Sequence, residues 1–287
     1  MNKPILFIFG ILVAANIFSW SLFVEAHRSQ YLVVDFLNVG QGDSSFIKTP
    51  EGHKIIIDGG PDYNRAAEKL AKEIPFWDKE IDLMVLTHSE KDHFAGLFKI
   101  LELYNVKNIA WSGDAKDTEE FKSFKLAVLK EQEEGSNVYE IGAKDKILFG
   151  KTEMDILFPY ELTQNNGQSV NENCLVGKLV FDKNSFLFAG DISDKEEKQI
   201  ITSQENIDAD VLKVAHHGSK YSSSAGFLKS VSPKIAVIQV GKNTYGHPTV
   251  EAISRLTDAG AKIYRNDLNG DIKVISDGKN MKILSEN

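Results

Sequence analysis

Polar residues stand where short apolar runs end, and this placement limits the possible folds more than any other feature of the chain. Asp58 follows "KIII", His88 follows "IDLMVLT", Asp191 follows "SFLFAG", and the pair His216-His217 follows "ADVLKVA". Runs this short and this rich in Val, Ile, Leu and Phe read as buried strands. A charged or imidazole group at the end of such a strand is costly unless it meets a partner or water. One such end is an ordinary lead into a turn. Several lying side by side build a polar cluster at one edge of the sheets, where ligand sites are commonly found.

"YLVVDFLNV" and "KIAVIQVG" add further strands, and helical patterns are expected over 63–74, 94–104, 118–134, 195–202 and 249–259. The last is punctuated by Thr249 as an N-cap after Pro248 and by Gly260 as its stop. Segments 113–117 and 160–173 are polar and read as loops. Strands and helices alternate without a strict βαβ rhythm, so mixed sheets covered by helices are expected, not a barrel. The 287 residues suffice for one large core, expected over 30–287.

Residues 1–29 are expected to be a separate unit. Pro4 to Val24 is an apolar run with no charged residue, and about 20 such residues span a hydrocarbon core. Lys3 and Arg28 flank it almost symmetrically, so the charge rule leaves orientation open. An uncleaved anchor with the remaining chain outside the cytoplasm is the preferred expectation. A cleaved signal segment ending near Val24-Glu25-Ala26 and a buried core helix are the alternatives.

The sharpest local pattern is "LTHSEKDHFAG", in which His88, Asp92 and His93 would meet at a strand-to-helix turn. Neutral imidazoles and carboxylates are the usual ligands of zinc, manganese and iron. Asp191 in "AGDIS" could bridge two ions, and "HHGS" offers two more imidazoles beside Ser219. Asp58 in "IIIDGGP" is expected to orient a ligand from behind. Spacing alone does not choose between His216 and His217. His217 is preferred as ligand, with His216 as an orienting or acid–base group.

"IIIDGG", "THSEKDHFAG", "AGDIS" and "VAHHGS", in this order, resemble the metallo-β-lactamase superfamily. More narrowly, "VVDFLNVGQGDSSFI", "NENCLVGKL", "LKVAHHGS" and "NTYGHP" resemble the hydrolase domain of ComEC-type DNA-uptake proteins, from about Tyr31 to Leu284. The resemblance implies an α/β fold, an αββα sandwich of the metallo-β-lactamase type, preceded here by one N-terminal hydrophobic helix. It also implies one or two divalent ions, Mn2+ or Zn2+. One position would use His88, Glu90, Asp191 and Asn173 (or Asn171). The other would use Asp92, His93, Asp191 and His217. Glu90 stands where a third histidine is usual in this loop, and oxygen in place of imidazole moves preference from zinc toward harder ions.

The resemblance also sets the expected activity, a metal-dependent hydrolase acting on a phosphodiester, with single-stranded DNA outside the cytoplasm as the leading substrate. Asp92 or a neighbouring carboxylate would hold the attacking water, and His247 or His216 would assist the leaving group. Tyr245 and His247, in "GKNTYGHP", would face the same edge. The net charge of −8 supplies no overall basic field for nucleic acid. A small envelope phosphodiester is the rival substrate, and a binding module with a decayed site is the rival from another class. β-Lactam hydrolysis is not expected, because the imidazole-rich zinc site is missing. The glycine turn "NVGQGDSSF" around Asp43 reads mainly as a tight hairpin, with a role near the substrate as the alternative. Lys213, Lys220, Lys242 and Arg265 read as solvated surface, with a phosphate groove as the alternative, and Cys174, the only cysteine, as a small buried hydrophobe. Oligomeric state leaves no trace in the sequence.

Overall fold

The computed structural model describes residues 3–26, 30–113, 115–162 and 173–287. Two sheets dominate it. In spatial order the first comprises Met281–Ser285, Ile272–Ser276, Leu32–Phe36, Ser45–Lys48, Lys54–Ile57, Leu83–Leu86, Asn108–Trp111 and Asn137–Glu140. The second runs Lys262–Arg265, Ile235–Ile238, Val211–Lys213, Asn184–Phe188, Val176–Phe181, Thr152–Phe158 and Lys146–Phe149. Each sheet is mixed. Its parallel part holds the strands that end in the marked polar residues.

Alternation along these strands builds the layers. Ile55, Ile57, Leu83 and Val85 point between the sheets, where they meet Leu179, Phe186, Val211 and Val237. Ile56, Met84 and Leu86 point the other way, onto Leu70, Leu97, Ile100, Phe121 and Phe124 of the covering helices. Leu187, Leu212, Ala236 and Ile238 do the same on the second sheet, against Ile200, Phe227, Val231 and Leu256. Helix, sheet, sheet and helix therefore stack as the αββα sandwich expected from the sequence.

Helices form close to the predicted segments: Arg65–Glu73, Glu119–Glu133, Asp194–Thr202 and Val250–Asp258. Thr249 caps the last, its side chain accepting from the Ala252 N–H. The single helix predicted over 94–104 is instead two, Lys91–Phe94 and Leu97–Leu103, broken at Gly96. The break has a cause. Gly96 N–H donates to the Gly60 carbonyl at 3.0 Å and Gly59 N–H to the His93 carbonyl at 2.6 Å, so a Cβ on Gly96 would run into Gly59. This backbone contact ties the loop after Lys54–Ile57 to the helix carrying His93. The short helix Ala225–Val231 was not anticipated.

Lys3–Ala26 forms one continuous helix. Its side chains are described only over 7–19, and among the described residues no helix is long and apolar enough to cross a membrane. Asn171 lies outside the described residues.

Candidate metal centre

The carboxyl ends of the parallel strands in both sheets meet at one edge, and there the structure gathers His88, Asp92, His93, Asp191 and His217. Their potential donor atoms form overlapping groups: His88 with His93 and Asp191, and Asp92 with His93 and His217. His93 Nε2 and His217 Nε2 each lie 3.5 Å from Asp191 Oδ2, so one carboxylate oxygen faces both imidazoles. Asp92 Oδ2 lies 3.3 Å from His217 Nε2. His88 packs on His93 with ring centroids 4.1 Å apart. All are buried except Asp92, whose side chain is 34% exposed and so opens the cluster to solvent.

The contacts behind the rings decide which nitrogen faces inward. His93 Nδ1 lies 2.8 Å from Asp58 Oδ2, and His217 Nδ1 lies 2.9 Å from the Gln239 carbonyl oxygen. Each leaves Nε2 directed at the cluster. Asp58 is itself held by the Thr87 N–H at 2.9 Å and the Thr87 hydroxyl at 2.7 Å. His216 and His217 both adopt left-handed backbone, φ 51° and 52°, in the turn Ala215–Gly218. Two consecutive non-glycine residues in that region are strained, and such strain gathers at functional sites. The turn aims His217 inward and leaves His216 half-buried toward solvent.

These donors fit a divalent cation. His88 Nε2 and His93 Nε2 are buried with no hydrogen-bond partner, a state that costs roughly 1–3 kcal/mol per group unless a cation or water completes it. Burial, and then the charge of His93, push His88 down to about 3, which keeps its lone pair free. Burial alone would lower His217 too, but the Asp191 and Asp43 carboxylates raise it to about 10. Without an ion, then, the carboxylates hold a proton on this ring. Imidazole and carboxylate together suit zinc, manganese or iron.

The structure places other sequence-marked residues differently. Glu90 is not in these groups: its carboxylate oxygens lie 2.7 and 2.6 Å from Lys116 Nζ, so the expected ligand forms an ion pair instead. Asn173 is buried next to Cys174, whose Sγ lies 3.6 Å from His88 Nδ1 and accepts the Asp191 N–H at 3.1 Å. Cys174 is therefore a wall of the site as well as a buried hydrophobe. His216, Ser219, Tyr245 and His247 line a surface cleft of ≈ 490 Å³ beside the cluster. His247 packs edge-on against His216 at 5.7 Å, and Tyr245 lies 5.9 Å from His247. Partial burial and the neighbouring His216 hold His247 below its ordinary value.

Sequence reasoning missed two residues at the heart of the site. Lys213 is not solvated surface; it is 2% exposed and pairs with Asp43. Asp43 is more than part of a hairpin turn. Its Oδ1 lies 3.3 Å from His217 Nδ1, and the Lys213 ammonium and His217 overcome the effect of burial to hold its carboxyl below the ordinary range. Gly42 lets this turn press in, since a Cβ there would meet the Asp92 carbonyl and Pro61.

Comparison with known proteins agrees with this architecture. The family model "Metallo-beta-lactamase superfamily" matches residues 37–242, most of the chain. The chain belongs to the metallo-β-lactamase superfamily. Within that hydrolase superfamily it is similar to ComE operon protein 3 of Bacillus subtilis (strain 168), 29% identical over 88% of this chain and 34% of that protein. It is also similar to Recombination protein 2 of Haemophilus influenzae, 27% identical over 93% of this chain and 31% of that protein. Competence protein ComA of Neisseria gonorrhoeae is 27% identical over 86% of this chain and 32% of that protein. The chain thus spans about a third of the length of these relatives, over the stretch that resembles a ComEC-type hydrolase domain. Among solved structures, the metallo-β-lactamase fold protein YhfI from Bacillus subtilis superposes with a TM-score of 0.58. It is 12% identical over 86% of this chain and 99% of that one, a likeness of fold.

Proposed function

We propose that the chain is a metal-dependent phosphodiesterase that cleaves single-stranded DNA, tethered outside the cytoplasm by its N-terminal helix. The observation that carries the reading is the convergence of His88, Asp92, His93, Asp191 and His217, with unpartnered imidazole nitrogens facing inward beside an open cleft. Asp92, His93, Asp191 and His217 would hold the tighter ion, and His88 with Asp191 a weaker second one. Manganese or zinc suits this mixture of imidazole and carboxylate. A divalent ion supplies Lewis acidity toward phosphoryl oxygens and an acidified water.

The chain's own groups do the rest. Asp92, the exposed carboxylate of the set, orients the attacking water through its free oxygen. His247 lies on the cleft side, braced by His216, and in its protonated form, which partial burial and His216 make scarcer, gives its proton to the leaving oxygen as charge builds there. Tyr245 lines the same cleft and offers an exposed ring face to the rest of the substrate, while the buried Ser219 shapes the cleft's floor. Relatives named for competence and recombination support a nucleic-acid substrate. The uncharged run Pro4–Val24 supports the tether, with 30–287 as the hydrolase domain.

The test is to incubate the full chain and its Asp92→Ala variant with end-labelled single-stranded DNA and Mn2+, with bis(p-nitrophenyl) phosphate in parallel. Cleavage of both by the native chain, lost in the variant, is the expected result. Cleavage of the small ester alone would move the substrate to a small phosphodiester, and cleavage of neither by a metal-loaded chain would overturn the reading.

A further inference from the structure

The buried lysine behind the cluster has a role that its relatives' names do not suggest. Lys213 Nζ contacts Asp43, is almost fully buried, donates to the Gly190 carbonyl at 3.0 Å, and lies 3.7 Å from Asp191 Oδ1. The other oxygen of Asp191, Oδ2, is the one facing His93 and His217. Asp191 is thus divided between a fixed ammonium on one side and the imidazole pair on the other. Asp43, Asp191 and His217 also bring potential metal donors close enough to form a further group by themselves. Lys213 contacts both carboxylates of that group.

We infer that Lys213 is a built-in cation that closes the Asp43 side of the centre to metal and confines divalent ions to the Oδ2 side of Asp191. A carboxylate pair with a buried imidazole is an attractive place for a divalent ion. An ammonium fixed on the chain satisfies the same charges without being exchangeable. It also repels a divalent ion approaching from that side, and in a buried site such repulsion is weakly screened. Lys213 is in this sense a positioning residue: it sets where ions lie and how many fit. The Asp43 carboxylate has the complementary task of holding the ammonium closer to itself than to Asp191, which the ammonium meets only at 3.7 Å. Without it, the positive charge would compete directly with a bound ion.

This inference rests on the reading of the cluster as a metal centre, and the sign of its consequences separates it from a packing role. The full chain and the variants Asp43→Asn, Lys213→Met and Asp43→Asn/Lys213→Met are titrated with Mn2+ and Zn2+ against a chelator, and ions per chain are counted. Asp43→Asn is expected to loosen metal by about 10–100-fold, the scale of second-layer changes at metal sites. Lys213→Met is expected to tighten retention and to add an ion. The double variant, which removes the buried pair together and leaves no lone charge, is expected to return near the native value. Should Lys213→Met fail to fold, loosening in Asp43→Asn with recovery in the double variant carries the same conclusion. Unchanged affinity in the folded variants, or a shift in one direction for all of them, would overturn the inference. A native chain that takes up no metal would overturn the metal-centre reading itself.

Discussion

His93 Nδ1 lies 2.8 Å from Asp58 Oδ2, and that contact points the opposite nitrogen of the ring at Asp191. Asp58 reaches no ion itself in the proposed centre. It sits in left-handed backbone at φ 59°, gripped by Thr87, at the end of Lys54–Ile57. The Asp58→Asn chain is therefore expected to fold yet hold metal about 10–100-fold more weakly, since the amide no longer favours the required ring orientation. Chelator competition reads the affinity, and a native value in the variant would count against an orienting role.

Glu90 offers a contrast. It stands in the loop position that the family resemblance assigns to metal, but Lys116 takes both of its carboxylate oxygens. The Glu90→Gln variant should keep the native number of ions per chain, with any stability loss within about 1 kcal/mol, as for other partly exposed ion pairs. Loss of an ion in elemental analysis would show that the side chain turns inward when metal arrives.

In the proposed mechanism His247 serves the leaving group, so its removal should matter according to what leaves. The His247→Gln variant is expected to lose about 10²–10⁴-fold in kcat on DNA, whose leaving alkoxide needs a proton. On bis(p-nitrophenyl) phosphate, whose leaving phenolate is stable unprotonated, the loss should be far smaller. Metal content should not change. Equal losses on both substrates would assign His247 to binding or structure instead.

Away from the centre, Asp35 makes stability depend on pH. Burial pushes its carboxyl up to about 6, against the pull of Lys273, whose ammonium is 3.1 Å away and is shared with Glu73 at 2.8 Å. Glu73 and Asp271 add to the upward push. The folded state therefore binds this proton more tightly than the unfolded state, whose carboxyl titrates near 3.8. Its contribution is fully present below about pH 4 and is lost as pH rises through 6. The size is roughly 2–3 kcal/mol. Denaturant unfolding from pH 4 to 7 should show an Asp35-dependent fall that is absent in Asp35→Asn, and parallel curves for the two chains would contradict it.

Much of this architecture was legible in the residues, for a physical reason. Buried strands announce themselves by apolar runs, and polar groups at their ends must meet partners, so Asp58, His88, Asp191 and His217 pointed to one edge. The choice between His216 and His217 was not legible, because it depends on the left-handed turn and on the Gln239 carbonyl, which lies beyond the motif. The Glu90 ion pair was not legible, because adjacency in a loop does not say which way a side chain turns, and Lys116 lies 26 positions away. Asp43 was hidden in a glycine turn whose bland reading was sufficient. Lys213 did leave a signal: a lysine inside the apolar run "DVLKVA" needs a buried partner, and the commonness of lysine masked it.

The most direct test of the central claim is the metal content of the purified full chain beside Asp191→Asn, after exposure to Mn2+ or Zn2+ and removal of excess. Asp191 is the residue whose Oδ2 faces both His93 and His217. The account predicts at least one tightly held ion per native chain and its loss in a variant that remains folded. A native chain that holds none, or a variant that holds as much as the native chain, would contradict it.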